Sequence, residues 1–283
     1  MDDYQRATAS PFQGSLSYTT ILRSHSFQGI GDTVVQFRTT EQDLAGIAEA
    51  HRIHGSMVPL VTFRGMCKTL YVYSSPFVQG KPYISVLMIM TRGAKVNNNH
   101  FDFCSSLDSI LHTVNDYAFT NPTLQRRIST YLIKLSVHLS ILVTLPIVLT
   151  HQDLAPFNYL IDESSGHVQA VLDWDGALYL PVGSNFHFIE SLFGFMTPTG
   201  WQDTEDRQEL EDAFFQNVLA ALNTQGFYDI SINQLKAQRA VGMLQYGTEQ
   251  LLKFKDERAE RYLESYIRLS SFMDDDPLVL SQN

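Results

Sequence analysis

Polar and apolar residues alternate over 15–23, a stretch rich in Thr and Tyr, and this predicts a strand. Residues 24–32 carry Gly29 and Gly31 and predict a turn into a second strand over 33–38. Thr40 is placed to cap a helix over 41–54, whose Leu44, Ile47, Ala48 and His51 share one face, with Gly55 closing it. Residues 60–64 and 69–74 predict another strand pair turning at Gly65. Residues 1–12, polar and with Pro11, predict a loosely held leader. Turn chemistry over 75–82 (Pro76, Gly80, Pro82) then ends the strand-rich part. Beyond it the apolar period lengthens, predicting helices over 83–91 and 101–118, separated by a loop at Asn97, Asn98 and Asn99. Pro122 opens a longer helix over 123–143, with Ile128, Tyr131, Leu132, Leu135 and Leu139 as its stripe. Further helices are expected over 186–195, 206–223, 232–246 and 250–269, and a frayed tail from 274. The order predicts an α+β chain with a small sheet first and helices after.

Two interruptions of this pattern carry the candidate chemistry. An apolar run over 145–149 delivers Thr150-His151-Gln152-Asp153-Leu154-Ala155-Pro156-Phe157-Asn158, and a β-like run over 168–172 delivers Asp173-Trp174-Asp175. Between them Glu163-Ser164-Ser165-Gly166 reads as a turn between short strands. Asp153, Asn158 and Asp173 together suit phosphoryl transfer: one carboxylate to orient and deprotonate a hydroxyl, an amide oxygen and a carboxylate to hold Mg²⁺. A carboxylate ending an apolar strand, as Asp173 does, is costly unless it meets a cation. Asp175 reads either as a second ligand or as a capping, solvated carboxylate, and Trp174 as core. A Ser-His-Asp hydrolase is excluded for want of a G-x-S-x-G elbow, and a zinc site for want of a second His or Cys at ligand spacing.

The pattern H-x-D-x-x-x-x-N, a short hairpin, then D-W-D resembles the aminoglycoside phosphotransferase and choline kinase group, which shares the protein-kinase fold. It also resembles phosphotransferase-like proteins of filamentous fungi, through Leu145-Pro146-Ile147-Val148-Leu149-Thr150-His151, Asn158 and residues 166–183. Gln13 to Thr19, Val34-Val35-Gln36-Phe37-Arg38 and Tyr71-Val72-Tyr73 extend the likeness more loosely, over about residues 12–205. The resemblance implies a two-lobed protein-kinase-like fold: a β-rich nucleotide lobe over 1–75, a hinge over 76–82, and a mainly helical lobe over 83–283 holding the catalytic loop and the acceptor site. It implies Mg²⁺ and ATP or GTP as co-substrate, Asp153 as base with His151 supporting the loop, and Asn158, Asp173 and Asp175 toward the metal. Ser15, Ser17, Gln36, Arg38 and Tyr73 fall on the nucleotide side. Phe186, His187, Glu190, Phe193 and Trp201 follow the D-W-D strand and are either helix packing or an acceptor pocket, with Glu190 and Trp201 as the substrate-binding candidates.

One position departs from the family. Gln36 stands where related kinases keep a Lys, and an amide lacks the charge that attracts phosphates. Arg38 lies two residues on, on the same strand face, and the helix carboxylate that would partner the missing Lys is Asp43 or Glu49. Three functions follow: an active small-molecule kinase; a kinase-fold protein that has lost phosphoryl transfer and binds or transforms a small molecule in a fungal secondary-metabolite pathway; or a regulatory pseudokinase. The absence of an Ala-Pro-Glu segment after Asp173 argues against a protein kinase.

Composition narrows the partners. With 283 residues and a net charge of −10, the chain has room for a large core and lacks the basic surface nucleic acid needs. Cys67 and Cys104 are in no metal spacing and read as free thiols. The acidic start Met1-Asp2-Asp3-Tyr4 is unlike a signal peptide, and no apolar run has the length of a membrane span, so the expected compartment is the cytoplasm.

Overall fold

The computed structural model describes residues 4–10, 13, 17–24, 31–82, 110, 112–136, 142, 144–162, 164–197, 200–254 and 257–269. The expected helix over 83–91, most of that over 101–118, the Asn97–Asn99 loop, Ser15, Cys104 and the tail lie outside the described residues. Contacts group the chain into two compact units, one of residues 1–89 and 151–178, the other of residues 90–150 and 179–283.

The first unit is built on a five-stranded antiparallel sheet of β1 (Tyr4–Ala9), β2 (Ser17–Ser24), β3 (Thr33–Arg38), β4 (Thr62–Cys67) and β5 (Leu70–Pro76), in the order β1-β2-β3-β5-β4. The first of these corrects the expectation of a loose leader, since residues 4–9 add an edge to β2 with Ala7 opposite Leu22 and Ala9 opposite Thr20. The Gln13 side chain tightens this entry, accepting from the Thr19 N–H at 2.7 Å and donating to the Ser10 carbonyl at 2.8 Å. Helix α1 (Leu44–His54) starts later than expected, because Asp43 and not Thr40 caps it, accepting from the N–H groups of Ala45 and Gly46. Gly55, at φ +62°, ends it as expected. Gly65 does not turn the next hairpin. It forms a bulge at φ +118°, and the turn falls at Lys68 and Thr69, with Lys68 at φ +55°. A second, three-stranded sheet joins β6 (Lys81–Pro82), β8 (Tyr159–Ile161) and β9 (Val168–Val171).

The second unit holds α2 (Pro122–Ser136), the paired strands β7 (Ile147–Thr150) and β10 (Leu178–Pro181), a 3₁₀ turn Phe186–Ile189 running into α3 (Glu190–Phe193), the hairpin β11 (Gly194–Thr197) and β12 (Gly200–Asp203), and helices α4 (Arg207–Thr224), α5 (Ile232–Phe254) and α6 (Glu257–Leu269). The β11–β12 hairpin replaces the end of the helix expected over 186–195. Helix α5 runs unbroken through the expected gap at 247–249, because Gly247 faces Leu263 and Tyr266 and its missing side chain lets α6 pack. Leu235, Met243, Leu251 and Leu263 are fully buried in this core. None of the described helices is long and apolar enough to cross a membrane.

Candidate active site

The loop after β7 is braced from within. His151 is buried, and its two ring nitrogens do different jobs: Nε2 meets the Leu172 carbonyl at 2.7 Å, and Nδ1 accepts the Asp153 N–H at 3.0 Å. The carbonyl on Nε2 puts the proton there and leaves Nδ1 as the acceptor. Burial holds the imidazole below its ordinary pKa, opposed by the Leu172 carbonyl and by the charges of Asp173 and Asp153. The ring also meets Trp174 edge-on at 4.9 Å, and the Trp174 indole N–H donates to the Val171 carbonyl at 3.1 Å. His151 therefore ties the Asp153 loop to the end of β9, a loop-supporting position with neither nitrogen turned to a substrate.

Asn158 makes the second brace. Its Nδ2 donates to the Asp153 carbonyl at 2.7 Å and to the Asp153 carboxylate at 3.3 Å, which leaves its amide oxygen for another partner. Asp173 ends the β9 segment in the left-handed region, at φ +58°, a conformation that costs a non-glycine residue about 1–3 kcal/mol and gathers at functional sites. Burial of its carboxyl raises the pKa above the usual range, with Arg38 lowering it and Asp175 raising it further.

Asp175 is differently placed. One oxygen takes the Arg38 guanidinium at 2.9 Å and the other accepts the Asp43 N–H at 2.8 Å, so both are engaged by the protein. Of the two readings of Asp175, second metal ligand or cap, the geometry is that of a clamp at the start of α1. Arg38 reaches Asp173 as well, at 3.6 Å. Neither expected helix carboxylate faces Gln36: Asp43 caps its own helix, and Glu49 pairs with Arg52 at 2.6 Å. Gln36 itself makes one marginal contact, to the Thr19 hydroxyl at 3.5 Å.

Gln36, Arg38, Asp153, Asn158 and Asp173 line a cleft of about 980 Å³ inside the first unit. Ser17, Thr19, Gln36 and Arg38 lie on one wall and Asp153, Asn158 and Asp173 on another, with Ile21, Val34, Leu160 and Phe77 among the apolar lining. Tyr73 is not on the cleft. It is buried, and its hydroxyl accepts the Gln42 N–H at 3.0 Å. Ser75, Phe77, Val78 and Gly80 take that place instead. Sequence reasoning missed Arg23, which stacks its guanidinium over Phe77 at 4.7 Å; alternation along β2 from Ser17 and Thr19 through Ile21 was the available signal. Glu190 and Trp201 belong to the second unit. Glu190 is 1% exposed and lies against Arg207 at 2.7 Å and Arg239 at 3.2 Å, so its charge is matched in the core. Trp201 donates its indole N–H to Asp203 at 2.9 Å.

Residues 115–188 match the model of the phosphotransferase enzyme family. The structure is similar to the GDP complex of wild-type aminoglycoside 2'-phosphotransferase-IIIa, at TM-score 0.59 and 12% identity over 96% of this chain and 94% of that one. The fold is that of the kinase-like phosphotransferases. Choline kinase from Cryptosporidium parvum Iowa II shares it, at TM-score 0.58 and 10% identity over 99% and 92% of the two chains. So does a choline/ethanolamine kinase family protein from Mesorhizobium loti, at TM-score 0.57 and 14% identity over 98% and 90%. Among curated proteins none matches the sequence. The α+β, kinase-like fold implied by the resemblance in the H-x-D-x-x-x-x-N and D-W-D motifs is therefore the observed one.

The donors available to Mg²⁺ are hard oxygens, the free amide oxygen of Asn158 and the Asp173 carboxylate, and these fit that ion. Among the described residues no group of three or more His, Cys, Asp or Glu could hold a metal ion by itself.

Proposed function

We propose that the protein is a Mg²⁺-dependent small-molecule phosphotransferase that moves the γ-phosphate of ATP or GTP to a hydroxyl. The observation that carries this reading is the meeting of Asp153, Asn158 and Asp173 on one cleft of a phosphotransferase fold. The Asp153 carboxylate receives the acceptor O–H as a hydrogen bond and takes its proton as the new O–P bond forms and the bond to the leaving diphosphate breaks. Asn158 keeps Asp153 aimed by its two donated bonds, and His151 keeps the loop backbone in place. Bound Mg²⁺ supplies neutralisation of phosphate charge, held by Asn158 and Asp173. Ser17, Gln36, Ser75 and Phe77 line the nucleotide side. The nucleotide lobe is taken as 1–75, the hinge as 76–82, and the acceptor lobe as 83–283. The structural neighbours are by name kinases of aminoglycosides, choline and ethanolamine; with a net charge of −10, an amino alcohol is a compatible acceptor. The cytoplasm, where nucleotide triphosphates are abundant, is the compartment that suits the reaction, and the exposed free thiol of Cys67 accords with it.

One observation favours a second reading. Gln36 brings no charge to the phosphates, and Arg38 is engaged by Asp175, so the cleft could retain its shape for a metabolite of a fungal secondary pathway without transferring phosphate. Calorimetric titration with ATP and with GTP, each with and without Mg²⁺, on the wild type and Asp173→Ala separates the two. Metal-dependent binding lost in Asp173→Ala is the expected result. No binding of either nucleotide at millimolar concentration would overturn the kinase reading.

A further inference from the structure

Arg38 is 7% exposed and is the one cation that the described residues place on both Asp173 and Asp175. The two contacts are unequal. The guanidinium meets Asp175 at 2.9 Å and stands off from Asp173 at 3.6 Å. Asp175 is itself anchored, because its other oxygen accepts the N–H of Asp43, the cap of α1. The guanidinium is thus tethered by a fixed carboxylate just short of the residue that faces the cleft. Among the described residues no second cation stands at Gln36. A bare divalent ion approaching Asp173 therefore meets a fixed positive charge, whereas a metal carried by a triphosphate arrives with negative charge that the same guanidinium attracts.

We propose that Arg38 is a specificity-determining residue that makes Asp173 take a metal–nucleotide complex in preference to a free divalent cation. The proposal rests on the phosphotransferase reading and adds to it a charge moved two residues along β3 from the place of Gln36. Asp175 serves as the tether that sets the distance.

The test uses the full chain and Mn²⁺ alone, followed by the electron paramagnetic resonance signal of the free ion, then Mn²⁺ with ATP. Arg38→Gln is expected to bind Mn²⁺ alone about tenfold more tightly than wild type, a change of about 1.4 kcal/mol and well within the reach of one unit charge under 4 Å away. The same variant binds Mn²⁺–ATP more weakly. Arg38→Lys, which keeps the charge, stays close to wild type for Mn²⁺ alone. Asp175→Asn frees the guanidinium to close on Asp173 and weakens binding of Mn²⁺ alone. A disrupted fold cannot produce the gain expected of Arg38→Gln, and if that variant does not fold, the loss in Asp175→Asn decides. Wild type that binds Mn²⁺–ATP, with no gain in Arg38→Gln or a gain in Asp175→Asn, overturns this proposal alone. Wild type that binds neither Mn²⁺ nor Mn²⁺–ATP overturns the phosphotransferase reading and this one with it.

Discussion

His187 should make the stability of the protein fall steeply in mild acid. The ring is buried, stacked on Tyr246 at 4.8 Å, and its Nδ1 lies 3.3 Å from the Ser184 carbonyl, to which it donates. Burial lowers its pKa from 6.5 to about 4, against a smaller opposing effect of the Ser184 carbonyl. The unfolded imidazole takes its proton near 6.5, whereas the folded one stays neutral down to about 4. Between those values the unfolded state binds more protons, so stability is complete above 6.5, declines as pH falls, and reaches its full loss below about 4. At about 1.36 kcal/mol per unit the whole interval is worth about 3.4 kcal/mol, of which about 2 kcal/mol is already lost at pH 5. Urea denaturation at pH 7.5, 6.0 and 5.0 on wild type and His187→Phe measures this directly. His151 and His54 are also held low by burial, but they titrate in both chains and cancel in the difference. The wild type should lose about 2 kcal/mol more than the variant between pH 7.5 and 5. Parallel pH profiles would refute the reasoning.

Two further substitutions test the second unit. A Cβ at Gly242 would sit 2.0 Å from the Ser184 carbonyl oxygen, a backbone atom that cannot step aside. Gly242→Ala should therefore destabilise by about 2 kcal/mol or more in chemical denaturation, although the same change in an exposed helix gains about 1 kcal/mol; a rise in stability would show that α5 is free to shift. Arg239 is 1% exposed and pairs with both Glu190 and Glu211 at 3.2 Å. Arg239→Met removes the more deeply buried of the two cations that those carboxylates share, the other being Arg207, and should cost about 3–5 kcal/mol, while a loss below about 1 kcal/mol would mean that Arg207 and Lys236 suffice.

The central motif was legible because its spacing is local. Asp153 and Asn158 are five residues apart on one loop, and the amide donates to Asp153 across that short span. Helices α4 and α1 were legible in the sequence to within three residues at each end, α1 from its apolar stripe. What was not legible depends on partners distant in sequence. Residues 4–9 are polar enough to read as a leader and become a strand only because β2 offers an open edge. Tyr73 looked like a cleft residue, but it is buried with its hydroxyl on the Gln42 N–H, a partner 31 residues away. Glu190 resembled a substrate-facing acid, and nothing within twelve residues announces Arg207 or Arg239 as its partners. The same holds for Arg38, whose partner lies 137 residues away.

The discontinuity of the first unit has a consequence for synthesis. Strand β6 has to wait for β8, and His54, at the end of α1, has to wait for Trp174, whose ring it meets at 5.0 Å. A ribosome adding about 5–20 residues per second leaves the emerged sheet incomplete for several seconds, while residues 90–150 are made. During that interval the nascent sheet displays apolar side chains that no later part of the chain has yet covered. A fragment ended at residue 89 would hold that state permanently, so a soluble first unit would require residues 151–178 to be supplied with it.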